Sequence, residues 1–338
     1  MNGSAWDRFW HPPATLRGLA LFRLAVAWLC LYDACLYDPT GLLAATGAEA
    51  TWQPITVFAV VGLEPPAAST AALVATLYRL AAVAVLLGWR TRTCCLVLAL
   101  LAFWQGGVFY SLTKVRHDRV ALCFATFALA FAPSGGAFAL DAFLRRRRGL
   151  PPPAAELAAW PRRLTQVTIA IGYSAAGLTK LLLVPSGWAN GHTLQGIMLG
   201  HGQRTLPLVA SVGACQLASL VVIAGEWLCP ACLWWPQLVF VFLPLLFAFH
   251  LGTWATMDTG PYMTLWFLWI AFVPLDRVPA WLLSQRGPQR WRAALVATFG
   301  VVWLVVVATV MARVVPAQLA AAALAATALV AWLERRAG

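Results

Sequence analysis

Lys180 closes a stretch, Tyr173-Ser174-Ala175-Ala176-Gly177-Leu178-Thr179-Lys180, that holds no other charge. On a helix, positions 173, 177 and 180 fall at i, i+4 and i+7 and share one face, with Gln166 two turns earlier. Apolar surroundings disfavour an ammonium, so a desolvated lysine can serve as a general base. Gly177 lets a neighbouring segment approach the backbone beside it. The plainer alternative is a lysine whose stem lies in lipid while its head reaches the interface. Trp188 and the polar Asn190-Gly191-His192 follow on the same side.

Three further groups carry ionisable residues where apolar runs should exclude them, and each is a candidate site by default. Lys114-Val115-Arg116-His117-Asp118-Arg119 opens an apolar run. It reads as a capped helix start, with Asp118 favoured by the helix dipole, or as a site for an anion or deprotonated substrate. His250, Trp254 and Met257 share a face of a later run, where a lone histidine serves either as a hydrogen-bonded core residue or as a site group. Glu226 ends another run beside Trp227, and its expected partner is a structural cation such as Arg79 or Arg23. No metal-ligand spacing is present: His192 and His201 are nine apart, with no His-x-x-x-His pair. Cys229-Pro-Ala-Cys232 has redox spacing, but its expected place on the reducing side and the lack of a βαβ context argue against thiol catalysis.

The elements that must position these residues are membrane helices. Of 338 residues, 61% are hydrophobic and only 11% charged, which excludes a soluble globule and a disordered chain. The net charge of +12 comes from Lys and Arg in short clusters between apolar runs, so it signals a membrane topology and not a nucleic-acid partner. At about 20 residues per span, ten candidates emerge: 15–36, 69–89, 93–112, 119–139, 164–184, 206–228, 233–256, 260–276, 293–312 and 315–333. The expected fold is an all-α transmembrane bundle of eight to ten spans without an extramembrane domain. The first run lacks a small-residue cleavage site and is expected to remain as a span. One set of span ends carries 15 of the 24 Lys and Arg and the other set 5, with the remaining four inside spans. Both termini are therefore expected in the cytoplasm, with Lys180 toward the exterior. Arg145 to Arg148, before Pro151-Pro152-Pro153, read as a cytoplasmic topology anchor or as a lipid or partner site. A transporter is disfavoured, since no inverted repeat is evident.

The order Tyr173-x-x-x-Gly177-Leu178-x-Lys180, then Trp188-x-x-Gly191, resembles the signature of the HTTM family, which contains vitamin K-dependent γ-glutamyl carboxylase. Arg23, Leu87-Gly88-Trp89-Arg90-Thr91, His117, Ala132-Pro133-Ser134-Gly135, Leu140-Asp141, Glu226, and His250 with Gly260-Pro261-Tyr262 fall in the same order. The resemblance covers about 15–280. It divides the chain into a carboxylase-like domain, 1–280, and a C-terminal helix pair, 281–338. It implies a vitamin K or menaquinone-type hydroquinone deprotonated by Lys180 with help from His117. O2 then oxidises the quinol to an epoxide. The strong base formed on the way removes a γ-proton from a glutamate, to which CO2 adds. Tyr173, Gly177, Trp188, Lys114, Arg116, His250, Trp254, Met257 and Tyr262 would line that site, and Arg23, Arg79, Asp118 and Glu226 would be structural. The implied setting is a bacterial cytoplasmic membrane, with the lipid bilayer, an isoprenoid quinone and a secreted Glu-bearing peptide or protein as partners. The carboxylase's large exterior domain has no counterpart in the two bare helices after residue 280, so propeptide-directed carboxylation is not expected. The alternative within the family is a membrane maturation factor for a secreted peptide toxin, without quinone chemistry.

Overall fold

In the computed structural model, residues 4–45, 51–113, 119–183, 185–201, 211–257, 268–273, 275–277 and 290–336 are described. These residues are helical, with no strands among them. Apart from two five-residue helices, Thr40–Ala44 and Thr56–Val60, the helices are α1 (Ala5–Trp10), α2 (Leu16–Leu36), α3 (Ala68–Leu87), α4 (Thr91–Leu112), α5 (Val120–Phe131), α6 (Leu140–Arg147) and α7 (Trp160–Leu183). They continue with α8 (Pro185–Ala189), α9 (His192–His201), α10 (Val212–Leu228), α11 (Val239–Met257), α12 (Arg290–Val314) and α13 (Ala317–Arg335).

Six helical stretches among the described residues are long and apolar enough to cross a membrane: Leu16–Ala44, Ala68–Leu87, Thr91–Leu112, Val212–Leu233, Pro236–Ala255 and Ala317–Arg335. The expectation of about ten is not confirmed, and the shortfall has local causes. α5 has 12 residues, about 18 Å of helix, against a hydrocarbon layer of about 30 Å. It stops because Pro133 restricts the residue before it. α7 is long enough, but Arg162, Arg163, Gln166 and Lys180 make it too polar to pass on composition. Much of the expected span at 260–276 lies outside the described residues.

Two compact units form, one from residues 1–165 and 273–338 and the other from 166–272. The C-terminal helices α12 and α13 fall in the first of these units. In the first unit α2, α3, α4 and α5 enclose a charged network. Arg119 Nε donates to Asp33 Oδ1 at 2.6 Å, its Nη2 donates to Oδ2, and Tyr78 Oη donates to the same oxygen at 2.9 Å. The guanidinium stacks on Tyr37, 4.7 Å from the ring centre. Glycine at 106 admits it, since a Cβ there would collide with Arg119 Nη1. Asp141 reaches across to the start of α4 and accepts from the amides of Arg90 and Thr91 at 2.9 and 2.7 Å, capping that helix from outside.

Candidate active site

The second unit holds the face predicted around Lys180. Lys180 Nζ donates to Glu226 Oε2 at 2.6 Å, and the two side chains are 16% and 5% exposed. Lys180 lies in the last turn of α7 and Glu226 in the last turn of α10, so two C-terminal helix ends meet. Gly177 makes that approach possible: a Cβ there would lie 2.8 Å from Trp227 N and 3.1 Å from Glu226 Cβ. Trp188, on α8, places its ring 5.3 Å from Nζ and covers the ammonium with an aromatic face. An ammonium has three hydrogens. One goes to Glu226 and the charge leans on Trp188, which leaves donor capacity for an oxygen from outside.

This geometry corrects two expectations. Glu226 pairs with neither Arg79 nor Arg23. Arg79 Nη2 binds Asp38 Oδ2 at 2.5 Å, and Arg23 donates to the carbonyls of Ser134 and Phe138 at 2.7 and 2.5 Å. Both arginines lie in the other unit and bind these acceptors there. Nor do Lys180 and Glu226 lie toward opposite membrane faces, because a 2.6 Å pair puts them at one depth. The reason is the segment between them. Residue 177 sits against the end of α10, and Gly191, with φ at 82°, sits against Cys215-Gln216 at its start. The short helix α8 therefore makes the return, and α10 begins where it ends.

Two turns before Lys180, Tyr173 Oη and His250 Nε2 share a hydrogen bond of 2.8 Å. Trp269 packs against both rings, 6.2 Å from Tyr173 and 6.1 Å from His250 between centroids. All three side chains are buried. Gln166 Nε2 donates to the carbonyl of Ala271 at 2.8 Å, tying this segment to the base of α7. Trp254 lies one turn beyond His250 and is half-buried, and Met257 ends the same helix. Lys114, Arg116, His117, Asp118 and Tyr262 lie outside the described residues. Cys229 and Cys232 are buried free thiols in the turn that follows Glu226.

Residue spacing does not mark Asp33, Tyr78 and Trp269, and it marks Arg119 only within the Lys114–Arg119 cluster, as part of a helix start or an anion site and not as the partner of Asp33. An acid at position 33, inside an apolar run, meets the criterion that selected Lys180, so that signal was present. Trp269 carried none, because a tryptophan in a membrane chain is ordinarily an interfacial anchor.

An all-helical membrane protein with a buried lysine–carboxylate pair under an aromatic side chain is the class these observations define. The HTTM domain family matches residues 12–276, and the chain belongs to it. That family includes vitamin K-dependent carboxylase-like proteins. No curated protein and no solved structure is significantly similar to the chain.

Proposed function

We propose that the protein is a membrane enzyme that deprotonates an isoprenoid hydroquinone of the vitamin K or menaquinone type, with Lys180 and Glu226 as its proton-handling pair. O2 and CO2 are the proposed co-substrates and a Glu-type side chain the proposed acceptor. The 2.6 Å contact between Lys180 and Glu226 carries the reading. The surroundings suit such a ligand: aromatic rings at 173, 188, 250 and 269 and a nearly dry ion pair match an apolar ring with an acidic hydroxyl. When bound, the quinol supplies the reducing equivalents and an acidic O–H.

The two residues solve a charge problem. A bare phenolate or a lone ammonium is costly in an apolar pocket. Lys180 avoids both by passing one proton to Glu226 while taking one from the quinol hydroxyl. The negative charge moves from the carboxylate to the quinol oxygen, and the ammonium stays beside it. Total charge does not change. Trp188 excludes water from the exchange and contributes its ring face to the cation. The site is proposed to open toward the exterior of a bacterial cytoplasmic membrane, with both termini inside, on the strength of the Lys/Arg asymmetry.

The test is Lys180→Ala in purified, lipid-reconstituted protein. Oxygen-dependent quinol oxidation should fall by about 10²–10⁴, the usual size of a general-base contribution, while quinone binding persists. Small amines added to the variant should restore turnover in order of their basicity. Undiminished oxidation without Lys180 would refute the assignment.

A further inference from the structure

Several basic residues of the first unit meet near the ends of its helices. Arg17 and Arg146 reach Glu334 at 3.8 and 3.2 Å, which brings together the start of α2, the end of α6 and the end of α13. The start of α7 joins them through α1: Arg163 Nε donates to the carbonyl of Phe9 at 2.9 Å, and its guanidinium lies 4.2 Å from the Phe9 ring centre. The short helix α1 is closed by a Ser4–Asp7 capping box and buries none of its own side chains. Pinned in this way, it forms one wall of an open groove of about 310 Å³ lined by Trp6, Trp10, His11, Leu157 and Trp160. Trp6 is 69% exposed and Leu157 45%, a large apolar presentation for side chains held on an ordered helix and turn.

We infer that this groove seats the glycerol and the upper acyl segment of an anionic phospholipid, whose phosphate rests against the basic end of the unit. Three observations select that occupant. The wall is tryptophan, the side chain that partitions to the level of lipid headgroups and glycerol. Arg8 lies on α1 itself and Arg163 is held against its Phe9, with Arg162 next to it in sequence, and basic residues at a bilayer surface attract anionic headgroups. The helix also stands on the end of the unit where apolar spans give way to charge, which is the depth at which a phospholipid presents both chemistries. A second copy of this chain, with its net charge of +12, would meet the cations with like charge. Binding at this groove does not depend on the proposed quinol chemistry.

Photo-crosslinking of the full chain tests this in mixed vesicles carrying a trace of a diazirine-bearing phosphatidylglycerol or phosphatidylcholine. The phosphatidylglycerol probe should label residues 4–11 and 155–163 at least tenfold more than the phosphatidylcholine probe. Unlabelled phosphatidylglycerol should compete the label away, and inorganic phosphate should not. Trp6→Ser with Leu157→Ser should cut labelling at these segments several-fold while labelling of α3 and α4 stays constant. Equal labelling by the two probes would overturn the inference, as would competition by free phosphate. Absence of label from both segments, or a protein–protein crosslink there in place of lipid, would also overturn it.

Discussion

The two units each bury an ion pair, and the pairs are built differently. Asp33–Arg119 uses a guanidinium that grips both carboxylate oxygens, with Tyr78 as a further donor and Tyr37 stacked on the cation. Its two side chains are 0% and 4% exposed. Lys180–Glu226 is a single contact between a point charge and one carboxylate oxygen, and the lysine keeps a 16% opening. Guanidinium never releases its proton in a protein, whereas an ammonium can. The first pair is therefore a fastener and the second a place where a proton can move. Burial in apolar helices marks both, and donor chemistry, contact geometry and exposure separate them.

The contrast breaks first at the fastener. Asp33→Asn leaves Arg119 buried without its counter-charge, a loss of about 3–5 kcal/mol in comparable buried pairs. Little folded protein should survive detergent extraction, as read by size-exclusion yield and thermal unfolding. Glu226→Gln should do the opposite, preserving yield, because the amide oxygen can still accept from Lys180 and the ammonium keeps its solvent opening and the Trp188 face. Quinol oxidation should nevertheless fall by about 10²-fold, since no carboxylate takes the relayed proton.

A smaller effect sharpens the same comparison. Gly177→Ala places a Cβ against the backbone of Trp227 and pushes α7 away from Glu226. A misplacement of this kind should cost about tenfold in turnover with little change in yield, because a proton relay depends steeply on distance.

Much of this was legible in the sequence. The shared face of Tyr173, Gly177 and Lys180 followed from helical periodicity, the close approach at Gly177 from its missing side chain, and the all-helical membrane class from composition. The partner of Lys180 was not legible. Periodicity fixes which residues share a helix face but says nothing about which helix end meets another. The assumption that every apolar run crosses the bilayer placed Glu226 on the wrong level. Residues 185–191 carry the reversal in one short helix and a glycine with positive φ, a pattern too brief for a hydropathy argument. Asp33 is legible by the criterion that marks Lys180, an ionisable group inside an apolar run, although its partner Arg119 is not.

Lys180→Arg tests the central claim most directly. Arginine preserves the positive charge, can still pair with Glu226 and can stack on Trp188, so an anchoring role would survive the change. A relay would not, because guanidinium cannot hand its proton to Glu226. The account predicts normal membrane insertion and quinone binding in reconstituted protein, with oxygen-dependent quinol oxidation reduced by at least about 10²-fold. Near-normal oxidation by Lys180→Arg would contradict it and reduce Lys180–Glu226 to a second fastener. It would also favour a role in peptide maturation without quinone chemistry.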